Sequence, residues 1–134
     1  MSSPEEITPY QLTPEGMQIL EGAQSLRRRL VAAARAEKEG TVALDPARAA
    51  LTQMVGAMRQ SGFDILDVDR VLDEFEDISD RGSRAFELHF FVGLPPERIA
   101  AVMRVPERIA ERDVAVVKAW LLERLKLLSG AARP

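Results

Sequence analysis

The sequence of 134 residues contains no cysteine and only one histidine. The absence of thiols excludes a disulfide framework, a thiolate zinc site and a cysteine nucleophile. A single imidazole cannot form a histidine-rich metal site, and a histidine-based catalytic triad is not expected. The sequence therefore predicts no metal site and no enzyme that depends on cysteine or histidine.

Long apolar runs are also missing. No stretch approaches the roughly 18 apolar residues of a membrane span, and the N-terminal stretch MSSPEEITP is acidic and polar, unlike a signal peptide. Glycine-rich phosphate loops, nucleophile elbows and carboxylate pairs in a catalytic context are absent as well. We therefore expect a cytoplasmic protein that binds no membrane, uses no cofactor and is not an enzyme.

The residues that are present favour a globular protein. Apolar residues make up 46% of the chain, which is typical of a folded domain and too high for a disordered one. A chain of this length buries roughly two thirds of its unfolded surface, so a core without cross-links is feasible. The length fits one domain, or a small domain with an additional helical layer.

Charge is distributed unevenly along the chain. Residues 1–63 hold seven basic and seven acidic side chains, residues 64–80 hold eight acids and only Arg70, and residues 81–134 hold ten bases and six acids. This asymmetry predicts a basic binding surface beside an acidic segment, or two oppositely charged solvated faces that attract each other. The acidic segment could also cover the basic surface of the last helix or dock a basic partner.

The sequence predicts an all-α fold, a bundle of about six helices. Proline and glycine fall between stretches with helical apolar spacing, and the alternation of β-strands is missing. The expected division is an irregular lead-in over 1–12, an N-terminal helical segment over 13–62 and a C-terminal domain over 63–134. The start signals are Thr13 before Pro14, Asp45 before Pro46, Ser79, Pro95-Pro96 and Pro106; the stop signals are Gly40, Ser61-Gly62, Gly93 and Gly130.

Residues 87–125 carry the most information about function. A short helix, a break at about Met103 to Pro106 and a long helix follow each other with the spacing of a helix-turn-helix. In that motif the first helix braces the second, whose N-terminal turn projects so that side chains reach base edges in a major groove. The side chains expected to be buried between the two helices are Ile99, Ala100, Met103 and Val105.

This stretch resembles the fourth region of extracytoplasmic-function sigma factors, the domain that reads the upstream promoter element. The resemblance covers residues from about 66 to 128; Leu66 to Leu72 is similar to the acidic linker before that region, and Leu26 to Lys38 to the end of the second region. A response-regulator-type helix-turn-helix is the nearest competitor. The matching residues are Glu87-Leu88, Phe91, Gly93-Leu94, Glu97, Ile99-Ala100, Val102, Val105, Glu107-Arg108, Arg112-Asp113, Ala119-Trp120-Leu121 and Leu125.

Four positions depart from the family pattern. Arg104 stands where the family usually has glycine, Pro106 where it has a serine cap, Ile109 where threonine is common, and Glu111 where a cation is usual. A carboxylate facing a phosphate turns a favourable contact into a repulsive one. Most of the second region is missing too, so we do not expect a complete sigma factor.

The resemblance implies a sigma-factor-like transcription regulator that binds double-stranded DNA through the last helix, with contact to RNA polymerase as a further partner. Arg108 and Arg112 are the candidates for base or phosphate contacts, and Glu107 for accepting from a cytosine amino group. The competing interpretation is that these charges only pattern a solvated helix surface. The complete candidate DNA-binding set is Arg104, Glu107, Arg108, Glu111, Arg112 and Lys118.

A second function stays open beside the first. A degenerate sigma-like module that no longer binds DNA would act as a protein–protein interaction subunit, because fold and function are separable. The N-terminal helices either pack on the C-terminal half or form a surface for a homodimer or another partner. The basic run from Arg27 to Lys38 is expected to be a solvated face, with contact to nucleic acid as the alternative. His89 is expected to be a helix-surface residue and Trp120 part of the core.

Overall fold

The computed structural model of the protein describes residues 8–41 and 45–131, with side chains to residue 128. Within these ranges the chain is all-helical, with six α-helices and no strand, which confirms the predicted fold class. None of the helices in these ranges is long and apolar enough to cross a membrane. The helices are α1 (Pro14–Lys38), α2 (Pro46–Gln60), α3 (Ile65–Glu76), α4 (Asp80–Val92), α5 (Pro96–Met103) and α6 (Glu107–Ala131).

Three of the predicted helix starts carry side-chain caps. The Thr13 hydroxyl accepts from the Gly16 amide, the Asp45 carboxylate from the Arg48 amide, and the Ser79 hydroxyl from the Gly82 amide. These bonds satisfy N–H groups of the first turn that have no partner inside the helix. The structure therefore confirms these three start signals. Each acts over only three residues, so a short stretch of sequence is enough to predict it.

The ends of α4 and α6 follow the sequence closely. Gly93 ends α4 in the left-handed conformation with φ of 82°, which glycine adopts without steric cost. The His89 imidazole Nδ1 lies 2.9 Å from the Leu94 carbonyl oxygen just beyond that glycine. Helix α6 begins at Glu107, after Pro106, and runs to Ala131, one residue beyond the predicted stop.

The larger of two apolar cores joins α1, α2, α3, α4 and the C-terminal half of α6. Its fully buried members include Leu30, Ile65, Leu72, Phe86 and Leu121. Helix α2 packs mainly on α1 and also contacts α3. Burial of each large apolar side chain contributes about 1.5–3 kcal/mol, which makes this core the main source of stability.

A second core lies beneath the turn between α5 and α6. It contains Leu88 of α4, Ile99 and Met103 of α5, Ile109 of α6 and Leu20 of α1. Helix α1 therefore contributes to the packing of the C-terminal helices as well as to the larger core. The turn between α5 and α6 rests on side chains from four helices.

Trp120 lies at the edge of the larger core and is only partly buried. Its ring packs edge-on against Phe75, with ring centres 5.4 Å apart. The Arg124 guanidinium lies over the indole ring, 4.9 Å from the ring centre, where it gains a cation–π contact. The indole thus joins α3 to α6 at the surface of the core.

Candidate nucleic-acid interface

Helices α5 and α6 form the predicted pair of a short and a long helix. The turn between them is Arg104–Pro106, one residue shorter than the predicted break. Its apolar side is buried as predicted: Ile99 is 0% exposed, Ala100 8%, Met103 0% and Val105 9%. The Pro106 carbonyl accepts from the amides of Ile109 and Ala110, so the backbone of α6 is in register directly after the turn.

Arg104 adopts the left-handed helical conformation, with φ of 54° and ψ of 48°. It is the one non-glycine residue with positive φ in the described part of the chain. Its amide donates to the Ala100 carbonyl, as does the amide of Val105, which closes the end of α5. The departure from the family's glycine therefore occurs at a position whose backbone favours glycine.

The six predicted DNA-contacting residues are all exposed to solvent. The two acids and the lysine follow one line along α6, because separations of four and seven residues return to the same helix face. The two helix arginines follow the adjacent line. The side chains concerned are Arg104 in the turn and Glu107, Arg108, Glu111, Arg112 and Lys118 on α6.

The opposite face of α6 carries a buried charge. Asp113 accepts two hydrogen bonds from Arg81 of α4, from Nε at 2.6 Å and from Nη2 at 2.9 Å. The side chains of both residues are less than a tenth exposed. Two parallel bonds of this kind fix direction as well as distance. They therefore set the rotation of α6 about its axis relative to α4, and with it the direction of the exposed arginines.

A second buried network joins α1, α3 and α4. Arg27 donates to Asp69 at 2.7 Å, to Asp73 at 2.8 Å and to Glu87 at 3.2 Å. Glu87 is 1% exposed and also accepts from Arg84 at 2.6 Å. Burial by itself lowers the pKa of the Arg27 guanidinium, but its three carboxylate partners outweigh burial and raise that pKa above the ordinary value.

Arg27 therefore departs from the solvated face that the sequence predicts for the basic run, whereas Arg28, Arg29, Arg35 and Lys38 are exposed as expected. The sequence reasoning also missed the pairs of Arg81 with Asp113 and of Arg27 with Glu87. Their partners lie 32 and 60 residues apart. No short pattern in the sequence indicates such pairs, since they form only when the helices pack.

The acidic segment pairs with arginines of several helices. Besides the contacts to Arg27, Glu76 and Asp80 pair with Arg84, and Glu74 pairs with Arg124 at 2.6 Å. Burial by itself lowers the pKa of Arg84, but its carboxylate partners outweigh burial and raise it. No cluster of histidine, aspartate and glutamate within the described ranges is arranged to hold a metal ion.

A groove runs along α6 beside Arg112. It has a volume of about 300 Å³ and is lined by the ends of α3 and α4 on one side and by α6 on the other. Ile78 is 62% and Val116 44% exposed at its rim, with Trp120 and Arg112 also in its wall. Exposed apolar side chains therefore lie beside an arginine along this groove.

The described part of the chain is thus an all-helical fold in which a short helix, α5, and a long helix, α6, meet at a tight turn. A model of the ECF sigma factor family matches residues 20–127. Because this match covers most of the chain, the protein belongs to the ECF sigma factor family, a family of transcription regulators. Comparison with curated proteins and with solved structures gives no match.

Proposed function

We propose that the protein is a sigma-factor-like transcription regulator that binds double-stranded DNA through the N-terminal turns of α6. The observation that carries the proposal is the exposure of the predicted contact residues on α6, directly above the buried face that seals α5 to α6. Membership of the ECF sigma factor family supports the same conclusion. An α-helix with such side chains at its start fits a major groove.

The two exposed lines of α6 carry different charges, and we expect them to contact DNA in different ways. Arg108 and Arg112 supply cations to phosphates or bidentate donors to guanine. Glu107 accepts from a cytosine amino group, and Glu111 opposes the phosphates. Lys118, two turns further on, adds a cation toward the backbone. Affinity from phosphate contacts is therefore modest, and selectivity depends on the two arginines.

The first experiment titrates the protein into fluorescently labelled random-sequence duplex DNA and follows anisotropy from roughly 50 to 200 mM salt. If α6 contacts the DNA backbone, the logarithm of affinity falls linearly with the logarithm of salt, by about 0.9 per phosphate neutralised. Absence of binding at the lowest salt concentration contradicts the proposal.

Variants then locate the interface. On this random-sequence DNA, Arg108→Ala should weaken binding and make the salt slope shallower by about 0.9, the change expected when one phosphate contact disappears. Arg48→Ala is the matched control: it removes the same charge from α2, which contacts neither α5 nor α6. Unchanged affinity in Arg108→Ala, or equal losses in both variants, contradicts the assignment of α6 as the recognition helix.

A protein–protein interaction function is the second candidate, favoured by the carboxylates on the exposed line of α6. Glu111→Lys separates the two functions because it replaces a carboxylate by a cation at one exposed site. In a DNA-binding protein the change tightens binding and steepens the salt dependence. In an interaction subunit that uses Glu111 it weakens the protein complex and leaves DNA binding absent.

RNA polymerase is the protein partner that family membership supports, and the groove along α6 offers an apolar surface for it. Val116→Asp should weaken binding to purified RNA polymerase, while Met54→Asp, an equal change at an exposed position on α2, should not. Equal binding by both variants contradicts the use of the groove. A homodimer through the N-terminal helices stays a prediction, which sedimentation velocity tests.

A further inference from the structure

The segment Thr8–Thr13 precedes α1 and crosses the end of α5. It lies before residue 20, where the match to the family begins. The Gln11 amide donates to the Met103 carbonyl at 3.0 Å, and the Thr13 amide donates to the Val102 carbonyl at 2.9 Å. The last carbonyls of a helix have no partner inside it, so this segment supplies the donors that α5 lacks.

The same segment is attached to α4 at its other end. The Thr8 carbonyl accepts from Arg81 Nη1 at 2.9 Å, and Arg81 is the residue that grips Asp113 of α6. The Tyr10 hydroxyl donates to the carboxylate of Asp80. Hydrogen bonds thus connect the segment to the first turn of α4, and through Arg81 to α6.

Packing reinforces these hydrogen bonds. Tyr10 and Leu12 are partly buried against the core beneath the α5–α6 turn. Gly16, in the first turn of α1, approaches α5 so closely that a Cβ atom there would lie 2.7 Å from the Val102 carbonyl oxygen and 2.9 Å from its Cβ. Only a glycine fits this contact, because distances below 3.0 Å do not occur for real Cβ atoms.

We propose that the segment Thr8–Thr13 is a positioning part of the DNA-binding unit, which holds the end of α5 and the Arg104 turn in place against α6. The inference rests on the proposed DNA-binding function. Met103, whose carbonyl the segment binds, directly precedes Arg104 in the strained turn. The DNA-binding unit is therefore assembled from two parts of the chain about ninety residues apart in the sequence.

Gln11→Pro tests the inference because proline carries no amide hydrogen, so the variant lacks the Gln11 donor. Gln11→Pro should weaken DNA binding about three- to tenfold, the change in an equilibrium constant that one lost hydrogen bond produces. Gln11→Ala keeps the amide and should bind DNA with the affinity of the wild type. Far-UV circular dichroism should show the same helical content in all three proteins.

The single tyrosine reports attachment of the segment without DNA. Burial, followed by the hydrogen bond to Asp80 and the charge of that carboxylate, raises the pKa of Tyr10 to about 12; Arg84 and Glu76 are the other charged neighbours that act on it. A tyrosine released into water titrates near 10. In Gln11→Pro the absorbance of tyrosinate should therefore appear at lower pH than in the wild type and in Gln11→Ala.

A second pair of variants acts on the packing. Gly16→Ala should push α1 away from α5 and weaken DNA binding, whereas Gly22→Ala adds the same methyl group to the same helix where no atom lies within 4 Å. Gly22→Ala should leave binding unchanged. Equal DNA affinity in Gly16→Ala and Gly22→Ala contradicts the positioning role.

The outcomes separate this inference from the function on which it rests. Wild-type protein that does not bind DNA overturns both proposals. Wild-type binding that persists unchanged in Gln11→Pro, while the titration of Tyr10 shifts, overturns only the positioning role. The positioning role is supported if Gln11→Pro both loses DNA affinity and shifts the Tyr10 titration. Gln11→Ala should then match the wild type in both measurements.

Discussion

At the scale of single residues, Arg104 combines a costly backbone with a charge at the candidate DNA surface. A non-glycine residue in the left-handed region loses about 1–2 kcal/mol to contact between its Cβ atom and the backbone. The turn keeps that conformation because the amides of Arg104 and Val105 both donate to the Ala100 carbonyl. An arginine there places a cation on the candidate DNA surface at a cost in stability.

Replacing Arg104 should separate the two effects. Arg104→Gly relieves the steric strain, and after the entropy that glycine loses on folding we expect a gain of about 0.5–1 kcal/mol in the free energy of unfolding. Arg104→Ala removes the charge but keeps the strain. Urea unfolding of the three proteins measures the difference. A glycine variant no more stable than the alanine variant contradicts the strain at this position.

Both variants should lose the same DNA affinity if the charge alone matters for binding. The salt slope measured for each of them should be shallower than that of the wild type by about 0.9, the contribution of one phosphate contact. An affinity loss in Arg104→Ala that Arg104→Gly does not share would assign the effect to the backbone of the turn instead.

The residues that sequence reasoning placed correctly are those whose role is local. Thr13, Asp45 and Ser79 each cap a helix through an amide three residues ahead, so a short pattern suffices to find them. The burial of Glu87 depends on a helix sixty residues away, and no short pattern contains that information.

At the scale of helices, the pair of Arg81 and Asp113 connects α4 to the buried side of α6. Asp113→Asn should lower the free energy of unfolding by about 3 kcal/mol, because it leaves the Arg81 guanidinium buried without its carboxylate. Glu111→Gln is the matched control, an equal loss of charge on the exposed face of the same helix. Chemical denaturation measures both, and equal stability of the two variants contradicts the structural role of this pair.

The contact between the segment Thr8–Thr13 and α4 should depend on pH through Tyr10. The folded-state pKa of Tyr10, about 12, lies above the unfolded value near 10. The stabilisation that the protonated Tyr10 hydroxyl contributes is therefore complete below pH 10 and disappears as pH rises toward 12. Urea midpoints of the wild type should fall faster over that range than those of Tyr10→Phe. Parallel curves for the two proteins would show that the hydroxyl contributes nothing to the contact.

Helix positions were predictable from periodicity, proline and glycine, because all three act within one or two turns. The contacts between helices were less predictable from these features of the sequence. The sequence left open whether the N-terminal helices pack on the C-terminal half, and the structure places Leu20 of α1 in the core beneath the α5–α6 turn. Spacing within α1 identifies its apolar face but not the helix that covers it.

At the scale of the whole molecule, the uneven charge of the sequence is largely balanced within the fold. The acidic segment 64–80 faces arginines of α1, α4 and α6. Ion pairs thus join the acidic segment to three different helices of the fold.

The packing of α1 predicts that the chain unfolds as one cooperative unit. Helix α1 contacts α2, α3, α4 and α5 and contributes to both apolar cores, so its loss would expose the interior of the C-terminal helices. A division into independent units over 13–62 and 63–134 would leave Leu20 and Leu30 without their partners. Single domains of this size usually unfold in one transition.

Urea unfolding followed by two probes tests this prediction. Fluorescence of the single tryptophan, Trp120, reports the packing of α6 on α3, and far-UV circular dichroism reports all six helices. We expect coincident curves with one midpoint. Ala33→Asp, a charge placed in the buried face of α1, should lower both midpoints equally, because the cores share that helix. A tryptophan transition that stays in place while the dichroism transition moves would show that the C-terminal helices fold without α1.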